Sequence, residues 1–193
     1  IGLPVAKALW GLKQLEKEYQ KIQSVDLEEK VNFLGKAYAM GAKAYDENEK
    51  TREEIKAINI ELYQKSPKVT RLWEKTKEWS IEYFRKIYKK LEVKFDHEFW
   101  ESEVESDGKK LVLDNIGKVF IEDQGAVVFP GEKYGLHNRV FVSAAGNPTY
   151  EAKDLRLAQL KEEIWPFDLA IILSGSEQAE YFKVMFKALE IID

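Results

Sequence analysis

No cysteine occurs among the 193 residues, which excludes disulfides and thiolate metal sites. A reducing cytoplasm is compatible with that usage, and cytoplasmic localisation is the expectation. Histidine is scarce as well. His97 and His137 stand alone, no His-Glu-x-x-His pattern occurs, and each reads as a surface or packing residue rather than a metal ligand. No apolar run approaches the roughly 20 residues that a bilayer crossing needs, and no basic-then-apolar signal peptide opens the sequence. Gly-x-Ser-x-Gly, Gly-x-Gly-x-x-Gly and P-loop patterns are missing, which removes the commonest hydrolase and nucleotide signatures. Nor is there an excess of positive charge: 30 basic residues face 34 acidic ones, for a net charge of −4. A protein that coats nucleic acid at large is excluded, while a local basic patch stays open. Internal repeats and low-complexity tracts are lacking. What remains is a chain long enough to bury a real core in one or two domains.

Helical periodicity fills the first half. Pro4 suits a first helical turn, and Val5, Leu9, Leu12, Leu15, Tyr19 and Ile22 follow at threes and fours to about Gln23. Asp26 caps a second helix, with Glu29 three residues on, carrying Val31, Leu34, Ala37 and Tyr38. The charged run from Asp46 marks a solvated turn. A third helix passes through Ile55, Ile58 and Leu62. Ser66-Pro67 ends it and starts a fourth, which shows Val69, Leu72, Trp73, Thr76, Trp79, Tyr83, Ile87 and Leu91. Residues 26–90 are therefore expected to form a helical unit. Lys68, Arg71, Lys75, Lys77, Arg85, Lys86, Lys89 and Lys90 alternate with the aromatic residues of that last helix. Such a face suits phosphate contacts, but lysines solvating the back of a core-facing helix give the same pattern.

The pattern then changes. Val93 to Phe95 reads as extended, and Asp107 as the cap of a short helix through Leu111 and Leu113, with a strand as the alternative. Two β-prone runs, 119–122 and 126–129, flank Asp123-Gln124-Gly125 and predict a hairpin. Residues 138–144 alternate like a strand. Thr149 can cap a helix to about Glu163, which Trp165-Pro166 ends. Asp168 to Leu173 is a continuous apolar run, the pattern of a strand buried on both faces. Gly175-Ser176 turns into a last helix carrying Phe182, Met185, Phe186 and Leu189. Strand, helix, strand, helix predicts a parallel sheet with right-handed crossovers, and ligands sit beyond the carboxyl ends of such strands.

Two loops emerge at that edge, one leading to Tyr150 and Asp154, the other holding Ser174, Ser176, Glu177 and Gln178. Tyr150 and Asp154 are four apart and share a helical face. A phenol beside a carboxylate can receive a planar cation: the carboxylate accepts paired N–H donors and the ring packs along an apolar stem. Gln178 offers a donor and an acceptor for the polar end of an amino acid. Spacing alone favours the plainer reading, in which Asp154 complements the helix N-terminus and Tyr150 packs.

The runs EKYGLHNRVFVSAAGNPTYEAKDL and GSEQAEYFKVMFKAL, with WSIEYFRKIYKKLEVKFDHEFWES and the opening IGLPVAK, resemble the arginyl-tRNA synthetases, class I enzymes with a Rossmann catalytic core. The likeness covers essentially the whole chain. It implies an α/β fold: a partial Rossmann-like parallel sheet with a helical insertion and a small β-hairpin. It assigns residues 1–25 to a helix of the catalytic core, 26–117 to the mainly helical insertion and 118–193 to the second half of the core. It implies that Tyr150 and Asp154, matching the family's Tyr-x-x-x-Asp motif, hold arginine, and that Gln178 lines the same pocket. Lys153 departs from the arginine or threonine common before the aspartate. Tyr181 stands where many members have a histidine near the nucleotide, so no ATP role is carried onto it.

The family's His-x-Gly-His and Lys-Met-Ser-Lys signatures are absent, and so is its anticodon-binding helical domain. Together with Ile1 as first residue, this leads to the expectation of an internal portion of an arginine–tRNA ligase. The parent, by resemblance, uses ATP and Mg²⁺ to join arginine to AMP and then to tRNA(Arg). The chain alone is expected to be inactive, with Tyr150, Asp154 and Gln178 as arginine-binding rather than catalytic residues. The alternative is a non-enzymatic α/β module that binds a cationic ligand or a protein partner through its helical arm.

Overall fold

Helices begin where the sequence supplies a proline or a cap. In the computed structural model, which describes residues 2–192, Pro4 sits in the first turn of α1 (Leu3–Gln14). The periodicity continues as expected, but Leu15 leaves helical geometry and a separate α2 (Glu16–Ile22) follows. Asp26 accepts the Glu29 N–H at 2.9 Å and opens α3 (Leu27–Glu47). Asn48, within the charged turn, accepts the Thr51 N–H at 3.0 Å and opens α4 (Glu49–Tyr63). Pro67 starts α5 (Pro67–Lys90). These helices belong to the first of two compact units, Ile1–Asp96 and His97–Asp193.

Two of the helix ends use no glycine. Lys65 after α4 and Glu92 after α5 take left-handed φ values of 55° and 57°. The N–H groups just beyond them reach back to Glu61 O and Tyr88 O, both at 2.9 Å, and satisfy carbonyls that the helices leave open.

The first unit closes on Ala6, Leu9, Leu12, Phe33, Ala37, Ile55, Ile58, Leu62 and Val69. Trp79 is buried and lies 6.0 Å from the Tyr19 ring, while Trp73 is only partly buried against this core. Trp79 thus packs inward while Lys68, Lys75, Lys86, Lys89 and Lys90 are exposed; Phe84 is exposed as well, and Lys77 lies 5.2 Å from the Trp73 ring centroid. Close approach of α1 and α3 depends on glycine: a Cβ on Gly41 would lie 2.0 Å from Lys7 O, and one on Gly11 would lie 2.0 Å from Ala37 O. Neither clash is with a flexible side chain, so the helices must separate. Gly41→Ala is expected to lower the unfolding free energy by about 1–3 kcal/mol. Urea denaturation checks it, and an unchanged midpoint would show that the contact yields freely.

In the second unit, the Glu103 carboxylate accepts the Trp100 N–H at 2.8 Å at the start of α6 (Glu101–Asp114). This helix begins well before the expected cap at Asp107, because the first turn finds its own acceptor. The hairpin forms close to where it was read: β1 (Ile121–Asp123) pairs antiparallel with β2 (Ala126–Phe129). Gln124 and Gly125 between them have φ of 48° and 78°, the mirror-image turn that matches strand twist. The next strand, β3 (Arg139–Val142), pairs antiparallel with β2, giving the order β1-β2-β3. Helices α7 (Tyr150–Ile164) and α8 (Ala179–Ile192) follow. Phe120, Phe129 and Phe141 meet at the core centre, with Phe120 and Phe141 centroids 4.8 Å apart, enclosed by Val112, Leu155, Val184 and Met185.

The secondary-structure order corrects the sequence reading in one respect. The sheet is antiparallel, and among the described residues no parallel pairing joins 138–144 to 168–173. The run from Asp168 to Leu173 is not a strand. Ile171 is 84% exposed and Leu173 98%. A strand buried on both faces requires a hydrogen-bonded neighbour on at least one edge, and the three paired strands do not offer theirs to it. Composition alone reports the tendency to be covered, not the presence of a cover.

Candidate functional site

Thr149 occupies the N-cap position of α7, but its hydroxyl does not cap. It donates instead to Val140 O at 2.8 Å and Phe141 O at 3.1 Å, so the start of the helix is fastened to β3. That attachment fixes where Tyr150 and Asp154 stand. Tyr150 is the first residue of α7 and is 59% exposed. Asp154, one turn further, is half-buried and lines a groove of about 700 Å³. Phe99, Leu157, Trp165, Ile171 and Phe182 supply apolar wall, so Asp154 presents a carboxylate beside mostly apolar surface. The volume lies in the range of small-molecule sites.

The phenol bonded to Asp154 is not Tyr150. Tyr181, on the buried face of α8, donates its hydroxyl to Asp154 Oδ2. Burial pushes the Asp154 carboxyl above the ordinary carboxylate range; the Tyr181 hydrogen bond and the Lys161 charge oppose this, and the Glu101 and Glu151 charges add to it. The Tyr181 phenol is held far above its usual value by burial, then by its bond to Asp154 and that residue's charge. It is therefore a donor near neutral pH. Arg139 lies over the Tyr181 ring, 5.1 Å from its centroid, and its Nε donates to Glu151 Oε1 at 3.0 Å.

Lys153 is buried, and its ammonium donates to Glu101 Oε2 at 2.8 Å. Burial raises the Glu101 carboxyl, while hydrogen bonding to Lys153 and its charge are the largest of the effects that hold it below its usual value. The same ammonium sits 5.4 Å from the Tyr150 ring centroid. A lysine before the aspartate is therefore an internal strut between α6 and α7. Gln178 ends a 3₁₀ turn, Ser176–Gln178, and is exposed. Asp154 lines the groove, whereas Tyr150 and Gln178 do not contribute to its wall.

His97 packs against Phe99 and Trp165, with centroids 4.4 Å and 5.2 Å away, and His137 is exposed. Among the described residues, no group of three or more histidines or carboxylates could hold a metal ion. Among the described residues, no helix is long and apolar enough to cross a membrane.

Tyr181 is the residue that the sequence reading set aside. The available signal was its place on α8: buried positions run Tyr181, Val184, Met185 and Ala188, one residue ahead of the face expected from Phe182 and Phe186. A tyrosine on a core-facing stripe needs a partner for its hydroxyl, and Asp154 on the facing helix accepts it.

Comparison with known proteins gives the family and the fold. A sequence profile described as tRNA synthetases class I (R), catalytic domain, matches residues 10–193. The arginine–tRNA ligase of Bdellovibrio bacteriovorus is 31% identical over 199 residues, covering 100% of this chain and 33% of that protein. That of Treponema denticola is 30% identical over 162 residues, covering 82% and 28%. The crystal structure of arginyl-tRNA synthetase from Plasmodium falciparum superposes with a TM-score of 0.72 at 19% identity, over 98% of this chain and 31% of that one. At that identity the likeness shows the fold, a class I synthetase fold. The chain spans about a third of the length of these relatives. The chain belongs to the family of class I tRNA synthetases (R), within the catalytic domain.

Proposed function

We propose that this chain provides the arginine-recognising part of an arginine–tRNA ligase, with Asp154 as the receptor of the guanidinium. The observation that carries this reading is the state of Asp154. Its carboxylate is partly withdrawn from water, its charge is opposed by burial, and among the described residues its bonded partner is a neutral phenol. A guanidinium would bring a directly bonded positive charge through paired N–H donors, and the apolar groove would cover the aliphatic stem. In this reading Tyr150 and Gln178 complete the pocket around the ligand, Tyr150 against the stem and Gln178 at the polar end. Both are exposed at present, so they act by meeting the ligand rather than by enclosing an existing cavity.

The reaction of the parent ligase would join the arginine carboxylate to AMP from ATP and then pass the arginyl group to tRNA(Arg). The part given to this chain is orientation. Holding the guanidinium fixes the reacting carboxylate relative to the phosphate, which converts binding into rate without covalent chemistry. The described residues hold no cluster suited to Mg²⁺, and the His-x-Gly-His and Lys-Met-Ser-Lys signatures do not occur in the sequence, so no step is assigned here to metal or phosphate contacts. The reading keeps residues 1–25 and 118–193 as catalytic-core segments and 26–117 as the helical insertion between them. Cytoplasmic localisation accompanies it.

The purified chain is therefore expected to show no arginine-dependent exchange between ATP and pyrophosphate, because donors that stabilise the transferring phosphoryl group supply much of such catalysis. Measurable exchange that requires arginine would overturn this division of labour. Reading the flanking frame tests the assignment from the other side: the two signatures should lie on either side of this stretch.

A further inference from the structure

We infer that Tyr181 is a positioning residue for the cationic ligand, holding one oxygen of Asp154 so that the carboxylate presents its other side to the groove. This rests on the reading of Asp154 as a guanidinium receptor and goes beyond it. Asp154 stands on α7 and Tyr181 on α8, so the bond between them ties the two helices that flank the groove. Asp154 lines that groove, whereas Tyr181 does not. The phenol therefore approaches the carboxylate from behind, and the ligand from the front.

Tyr181 is itself held. Its ring is buried, Arg139 from β3 lies over it at 5.1 Å, and Arg139 is anchored by Glu151 at 3.0 Å. The relay Glu151, Arg139, Tyr181, Asp154 thus runs through the sheet and both helices. Each link fixes the next one's rotamer. A half-buried aspartate without this relay could rotate about χ1 and χ2 and would lose freedom on binding.

The chemical identity of the partner matters. An ammonium or guanidinium from the protein would neutralise Asp154 and compete with the ligand. A phenol donates one hydrogen bond and brings no charge, so, of the groups acting on Asp154, only the more distant Lys161 ammonium offsets its charge. Charged groups that act on Asp154 are Lys161 and Glu151 from α7 and Glu101 from α6. Lys161 favours the carboxylate and the two glutamates oppose it. Tyr181 adds a hydrogen bond that favours the ionised form.

Tyr181→Phe removes the hydroxyl and keeps the ring under Arg139. With the protein as it stands, two readouts apply: the ¹³C carboxyl titration of Asp154 and the pH dependence of arginine binding by calorimetry. The carboxyl of the variant should titrate at higher pH than that of the wild type. Arginine binding, which needs the carboxylate, should weaken roughly three- to tenfold near neutrality. Its loss on acidification should also begin at higher pH. An unmoved Asp154 titration, or a moved titration with unchanged arginine affinity, overturns the inference. Asp154→Asn reads the same bond from the other side and covers the case in which Tyr181→Phe folds poorly. With the carboxylate acceptor gone, the ¹³Cζ resonance of Tyr181 should move from its wild-type position near neutral pH, and an unmoved resonance would overturn the link. The ligase reading fails separately: wild-type arginine affinity in Asp154→Asn removes the receptor role and leaves the link between Tyr181 and Asp154 standing.

Discussion

Phe141→Ala is expected to lower the stability of the second unit by about 3–5 kcal/mol, the loss found for large aromatic-to-alanine changes in packed cores. Phe141 is fully buried, 4.8 Å from the Phe120 centroid and 6.2 Å from that of Phe129. Its removal takes away apolar contact and leaves a cavity among the surrounding core side chains. The position also matters for the site. Phe141 O accepts both the Thr149 hydroxyl and the Thr149 N–H, at 3.1 Å and 3.0 Å, so the strand residue at the core centre also fastens the start of α7. Against a typical total of about 5–15 kcal/mol, a loss of this size leaves a marginal fold. Phe186→Ala is the control, because Phe186 is 51% exposed and should cost far less. Urea unfolding followed through amide signals of residues 97–192 measures both. A cost below about 1 kcal/mol for Phe141→Ala would show that the three phenylalanines do not form the centre of this core.

How much of this was legible in the sequence depends on how local each signal is. Caps and turns are local, and Asp26, Pro67 and Gln124-Gly125 act where they were read. The aromatic residues of α5 could be a core face or a nucleic-acid face by spacing, and only burial of Trp79 and Val69 separates the two. The stretch 168–173 shows the limit in the other direction. Its apolar run predicts a covered strand, but pairing is a property of neighbours, and the described strands offer it none.

The site divides in the same way. Four-residue spacing on α7 correctly put Tyr150 and Asp154 one turn apart, yet a helix turn is about 5.4 Å long and the two side chains meet different surroundings. Tyr150 remains exposed at the first turn, while Asp154 reaches the groove. The partner of Asp154 lies 27 residues away on α8, and no spacing rule spans that distance. Gln178 was placed in the loop before the last helix, and it occupies a short 3₁₀ turn there. Lys153, a departure from the family pattern, is explained by Glu101 on α6.

The receptor role of Asp154 is the central claim, and Asp154→Asn carries its largest functional effect. The substitution keeps the shape of the side chain and removes its charge. One of the two acceptor oxygens becomes an N–H₂ donor that faces either Tyr181 or the ligand. A guanidinium entering that site would meet a neutral, partly mismatched partner in a groove of mostly apolar wall. A poorly paired charge in such surroundings costs at least roughly 2 kcal/mol, or about tenfold or more in affinity. Removing a carboxylate that served only the helix end would instead cost up to about 1 kcal/mol of stability and leave the ligand alone. Isothermal calorimetry of arginine against the wild-type chain and Asp154→Asn, near neutral pH with both proteins shown to be folded, separates these accounts. The receptor account predicts binding to the wild type that weakens at least about tenfold in the variant; equal arginine affinity in the two proteins would contradict it.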